Sequence, residues 1–154
     1  MTMVLGLGNP ILGDDSLGIR AVERLKKVQL PKGIVLDYST SSPLSTARKI
    51  VDHDKVLLID SVNLPGKEDG ELVKLSLENL SSRPMFVSVH SASLPASLEI
   101  YRALYPDRFP KEILVIGVNV KKVEVGESMS ETVNGSIEEV VKLILSEVGE
   151  KFDE

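Results

Sequence analysis

Five side chains of this 154-residue chain have the chemistry to build a reaction centre: the adjacent pair Asp14 and Asp15, then Asp37, Asp60 and His90. Each follows an apolar run. Val4–Leu7 leads into a glycine turn and the acidic pair, Ile34–Leu36 into Asp37, Val56–Ile59 into Asp60, and Met85–Val89 into His90. Two carboxylates and an imidazole make a three-ligand set suited to a borderline divalent metal such as Zn²⁺ or Ni²⁺ with an open position. A metal so held could polarise a carbonyl or activate water. The local motif His-Glu-x-x-His is absent, so a site of this kind must be assembled from distant segments. With no cysteine in the chain, disulfides, thiolate ligands and a cysteine nucleophile are all excluded. There is neither a Gly-x-Ser-x-Gly elbow nor the Asp-Thr/Ser-Gly loop of aspartic proteases.

Each residue also has a purely structural reading. Asp14 suits the N-cap of the helix that follows, and this is its preferred reading. Asp15 sits at the positive end of that helix's dipole. Asp37 and Asp60 could form turns after their strands, the preferred reading for Asp37, and His90 could be a polar residue at a loop edge. His53, flanked by Asp52 and Asp54, reads as a solvated cation at a helix C-terminus and is set aside.

The segments that must gather these groups alternate in type. Leu17, Ala21, Val22, Leu25 and Val28 recur at helical spacing, ended by Pro31 and Gly33; a second helix runs from Pro43 through Leu44, Ala47 and Ile50 towards His53. Strand, helix, strand, helix, strand implies a parallel sheet with right-handed crossovers. Glu71–Leu75 alternates as an edge or antiparallel strand would. Met85–Val89 is a further apolar run, Pro95–Leu104 reads as a helix and Ile113–Val118 as a core strand. A closing helix carries Val140, Val141, Leu143, Ile144 and Val148, preceded by Asn134 or Gly135. The expected fold is a three-layer α/β/α sandwich, phosphorylase/hydrolase-like, over a mostly parallel twisted sheet of about five strands, one antiparallel. Residues 1–154 are expected to form a single domain. Ligands of such sheets bind beyond the carboxyl ends of the strands, where strand order reverses. That rim is where Asp14, Asp15, Asp37 and Asp60 fall, joined by His90 if its loop crosses back over it.

Composition narrows the partners. A net charge of -5 argues against nucleic acid. No apolar run nears the roughly 20 residues of a membrane span, and a strand starting within three residues of Met1 leaves no space for a signal peptide, so a cytoplasmic location is expected. Gly6-x-Gly8 lacks the third glycine of a dinucleotide fingerprint, Ile11 standing there, and the loop ends in Gly13-Asp14-Asp15 instead of Gly-Lys-Ser/Thr. Two negative charges would repel a phosphate, so no organic cofactor is expected.

GLGNPILGDDSLGIRAVERL resembles the opening of the hydrogenase maturation endopeptidases: Gly-x-Gly-Asn, a spacer, two acidic residues, and a glycine before the first helix. VLLIDSV, VSVHSASLPASL, ILVIGVNV and GESMSETV resemble later segments of that family in the same order. The resemblance implies an endopeptidase that removes the C-terminal extension of a [NiFe] hydrogenase large-subunit precursor after nickel insertion. It implies that Asp15, Asp60 and His90 engage that nickel, which the substrate brings. A non-catalytic chaperone sensing the nickel-loaded precursor is the rival reading. Where the family has Asp-Gly-Gly-Thr, this chain reads Asp37-Tyr38-Ser39-Thr40, which removes two freely rotating positions and adds a ring near a possible substrate path. Ser16 likewise replaces a common glycine. The opening Gly6-Leu7-Gly8-Asn9-Pro10 also looks like that of bacterial-type peptidyl-tRNA hydrolases, but their Thr-Arg-His-Asn stretch is missing.

Overall fold

The computed structural model describes residues 1–9, 13–40, 42–76, 94–121 and 128–149. Five strands, β1 (Thr2–Leu7), β2 (Ile34–Ser39), β3 (Lys55–Val62), β4 (Leu72–Ser76) and β5 (Glu112–Asn119), form one sheet in the order β2-β1-β3-β5-β4. The first three and β5 run parallel; β4 is antiparallel at the edge, as its alternating sequence predicts. Helices α1 (Leu17–Leu25), α2 (Pro43–Ile50), α3 (Leu94–Leu104), α4 (Glu131–Gly135) and α5 (Ile137–Gly149) complete the described elements. Met85–Val89 and His90 lie outside the described residues.

The strands β1, β3 and β5 are apolar on both faces because helices cover both. Successive side chains point to opposite faces. Val4, Leu57, Ile59, Ile116 and Val118 therefore meet α1 and α5, through Leu17, Ala21, Val22, Leu25, Val140 and Ile144. Met3, Leu5, Leu7, Val56, Leu58, Ile113 and Val115 meet α2 and α3, through Ala47, Ile50, Leu94 and Leu98. The result is the expected three-layer sandwich. Among the described residues, no helix is long and apolar enough to cross a membrane.

Some boundaries differ from those read off the sequence. β2 does not stop at Asp37 but continues to Ser39, and β3 runs two residues past Asp60. Both carboxylates thus sit inside strands, and neither forms a turn. Asn134 and Gly135 belong to the short helix α4, whose N-cap Ser130 accepts a hydrogen bond from the Val133 N–H.

The approach of α1 to the sheet is set by glycine. A methyl group on Gly6 would lie 2.2 Å from the Gly18 carbonyl oxygen; one on Gly18 would lie 2.3 Å from the Leu7 carbonyl oxygen and 2.4 Å from that of Ile59. All three obstacles are backbone atoms and cannot rotate away. At the far end of the helical layer, Glu147 of α5 is buried and paired with Lys74 of β4 and with Lys55, the first residue of β3, at 3.3 Å. Burial pushes the Glu147 carboxyl up, but the hydrogen bonds from Lys74 and Lys55 outweigh it and leave it below its ordinary value.

Two outcomes follow. Gly18→Ala should destabilise the protein by about 3 kcal/mol, the upper end for overpacking, in urea unfolding; a loss within experimental error would show that the helix can shift. A depressed folded-state pKa stabilises above the unfolded-state value and is lost as pH falls through the folded one. The stability advantage of the wild-type chain over Glu147→Gln should therefore be constant from neutral pH down to about 5. It should shrink below roughly pH 4.3, the ordinary glutamate value, as read from unfolding midpoints across pH.

Candidate active site

β1 connects to β2 on one side of the sheet, and the chain then crosses back to place β3 on the other side of β1. Strand order thus reverses at the carboxyl ends of β1 and β3, the place where ligands of such sheets bind. Asp15 reaches it from the loop after β1, and Asp60 from β3 itself.

The loop is held by backbone contacts that only glycine permits. Gly8 has φ of +146°, and a side chain there would meet the Asp15 carbonyl oxygen at 2.0 Å. That carbonyl accepts a hydrogen bond from the Asn9 N–H at 3.1 Å. Residues Gly13–Ser16 then form a single 3₁₀ turn ahead of α1. The Ser16 hydroxyl donates to the Gly13 carbonyl at 2.6 Å and accepts from Arg20 Nε at 2.9 Å, closing the turn from within. Ser16 thus has a definite task where the family has a common glycine.

Asp15 and Asp60 are both at 0% exposure. Taking carboxylates out of water is costly unless hydrogen bonds compensate. Ser61 supplies one to each: its hydroxyl donates to Asp15 Oδ1 at 2.6 Å, and its backbone N–H donates to Asp60 Oδ1 at 2.8 Å. Two acids from segments about 45 residues apart are thereby joined through one serine. Sequence reasoning gave Ser61 no role; the only signal was a hydroxyl next to Asp60 in an otherwise apolar strand. His90 falls outside the described residues, and among those described no three metal-ligating side chains cluster.

The other candidates are placed elsewhere. Asp14 is not the cap of α1. Ser16 holds the N-cap position, without a side-chain cap, and Asp14 Oδ1 instead accepts the Ser130 N–H at 2.7 Å. The 3₁₀ turn carries its side chain away from the first helical amides and towards the start of α4. Asp37 pairs in register with Leu5, itself level with Leu58, two residues short of Asp60. Its carboxylate accepts the Tyr38 N–H and pairs with Lys49 of α2 at 3.1 Å, half exposed. It belongs to the β2–α2 packing, not to the switch point. His53 sits at the end of α2, its Nδ1 3.3 Å from the Ile50 carbonyl oxygen, as its reading as a helix-end residue anticipates. The Tyr38 ring is turned towards α1, with Lys26 Nζ 5.6 Å from its centroid. Tyr38 and Ser39 lie in extended strand within β2 and need none of the positive φ that glycine provides.

A buried carboxylate pair at the switch point of a parallel sheet meets a matching family. The model described as hydrogenase maturation protease matches residues 19–147. The chain belongs to the hydrogenase maturation protease family. The match takes in Asp60 and His90 and begins after Asp15, which the Ser61 hydroxyl joins to the strand of Asp60. The hydrogenase 2 maturation protease of Escherichia coli is 26% identical over 153 residues, covering 96% of this chain and 90% of its own. The solved E. coli hydrogenase maturating endopeptidase HybD has the same fold: TM-score 0.82 at 23% identity, over 97% of this chain and 93% of that one. The [NiFe] hydrogenase maturation protease HybD from Thermococcus kodakarensis gives 0.77 at 23% identity, over 96% and 98%. Family membership makes this chain a peptide-bond hydrolase of hydrogenase maturation.

The Asp14–Ser130 bond ties the loop of this protease to the segment that opens α4. Asp14→Ala should cost about 1 kcal/mol, as for a single partly exposed hydrogen bond. It should also speed amide exchange at Ser130. Unchanged exchange there would show that the tie does not persist in solution.

Proposed function

We propose that this protease removes the C-terminal extension of a [NiFe] hydrogenase large-subunit precursor once nickel is in place, and that Asp15, Asp60 and His90 engage the precursor's nickel. The reading rests above all on one observation: Asp15 and Asp60, buried and joined by Ser61, lie at the sheet's switch point in a chain of this family. Carboxylate oxygens together with an imidazole suit a borderline divalent ion. The metal is part of the substrate. Engaging it lets the enzyme distinguish a loaded precursor from an empty one and brings the scissile peptide beside the two acids. A metal there can also polarise the scissile carbonyl. The acid pair and the net charge of -5 favour a cationic centre over a phosphate-bearing partner. The cytoplasm, where precursor and protease would meet, is the proposed location.

The test is cleavage of nickel-loaded precursor, read as a shortened large subunit by mass. Wild-type protein should cut it and leave nickel-free precursor whole. Asp15→Asn, Asp60→Asn and His90→Ala should each slow cleavage by roughly 10²-fold or more, the scale of losing several kcal/mol of charge stabilisation. Asp14→Asn should stay within a few-fold of wild type. Stable binding of loaded precursor without any cleavage would replace the endopeptidase reading with that of a nickel-sensing chaperone. Full activity in Asp60→Asn would remove the proposed site.

A further inference from the structure

Ser61 stands between the two acids. Its hydroxyl shares a strand with Val56, Leu57, Leu58, Ile59 and Val62, all at 0% exposure, and it is itself wholly buried. A hydroxyl in that setting costs free energy unless it is bonded, and an aliphatic side chain would suit the strand better. Its partner is Asp15, 46 residues away in sequence, at 2.6 Å. That length is typical of a hydroxyl donating to a carboxylate, a bond about twice as strong as a neutral one.

The two acids are carried on unlike supports. Asp60 is on β3, held in register opposite Gly117 of β5, and its carboxylate accepts the N–H of the next residue. Asp15 is on a 3₁₀ turn between a glycine loop and α1. A single turn of this kind orients a side chain less firmly than a central strand does. The Ser61 hydroxyl ties the carboxylate on the turn to the strand that carries the other. Serine is also short enough to fix Oδ1 close to its own backbone, with only one rotatable bond between the strand and the hydroxyl.

We propose that Ser61 is a positioning residue of this protease, holding the Asp15 carboxylate in a fixed relation to Asp60 so that both address the same metal of the precursor. The role rests on the function proposed above. Partners that orient metal-binding carboxylates without touching the metal typically carry a 10- to 100-fold share of activity.

The experiment compares wild type, Ser61→Ala and Ser61→Thr for cleavage of nickel-loaded precursor, affinity for that precursor and thermal unfolding. Ser61→Ala should lose roughly 10- to 100-fold in turnover while its precursor affinity falls by less, within about threefold, because Asp60 keeps its place on β3. Ser61→Thr keeps the hydroxyl and should recover turnover to within about tenfold of wild type. If threonine's extra methyl prevents folding, the split between turnover and affinity in Ser61→Ala decides. Ser61→Ala cutting at the wild-type rate, or losing affinity and turnover together, overturns the positioning role alone. Wild-type protein that fails to cut loaded precursor overturns the endopeptidase reading, and the positioning role with it.

Discussion

Backbone meets backbone where α1 crosses the ends of β1 and β3, and that contact requires Gly6 and Gly18. No side chain separates the helix from the strands there, so α1 begins directly against the strand ends, not a side-chain layer above them. Gly8 extends the same principle into the loop, where the Asp15 carbonyl occupies the space a side chain would take. The position of Asp15 follows from these contacts. Helices usually pack on sheets through interdigitating side chains; here carbonyl oxygens occupy the space a methyl group would take.

Within that frame, the carboxylates are an expense the fold does not need. Helices cover both faces of the central strands, where burying a carboxylate costs free energy. Hydrogen bonding through Ser61 offsets part of the desolvation cost and keeps both acids at one end of the sheet. The function proposed above gives such a pair its use. Local rules of stability are most often broken at functional sites.

The remaining charged groups act as fasteners. Glu147, Lys55 and Lys74 lock α5 to the sheet through β3 and β4. Asp52, at a positive φ of 76°, is held by Arg108, whose hydrogen bonds keep its carboxyl below the usual range. Exposed pairs of this kind contribute little to stability. Asp14 and Asp37 belong with them: one ties the 3₁₀ turn to the start of α4, the other ties β2 to α2.

The order of elements, the parallel character of the sheet and the edge position of Glu71–Leu75 were legible in the sequence because apolar periodicity is a local property. So was the switch point, since the carboxyl ends of β1 and β3 lie together in any sheet of this kind. Sequence alone could not separate Asp14 from Asp15 by their chemistry, since both are acids in one turn. The tertiary structure separates them: the 3₁₀ turn directs one carboxylate to Ser130 and the other to Ser61. Nor could it show that Asp37 stops two residues short of the rim, because register between strands depends on pairing across the sheet and not on where an apolar run ends. Ser61 was hidden for the same reason, its partner lying 46 residues away. In the stretch from Gly6 to Gly18 the sequence determined that two acids would follow a glycine turn at a helix start. Only the packing of three glycines against carbonyl oxygens, together with one serine hydroxyl, decided which of them is bonded to the strand that carries Asp60.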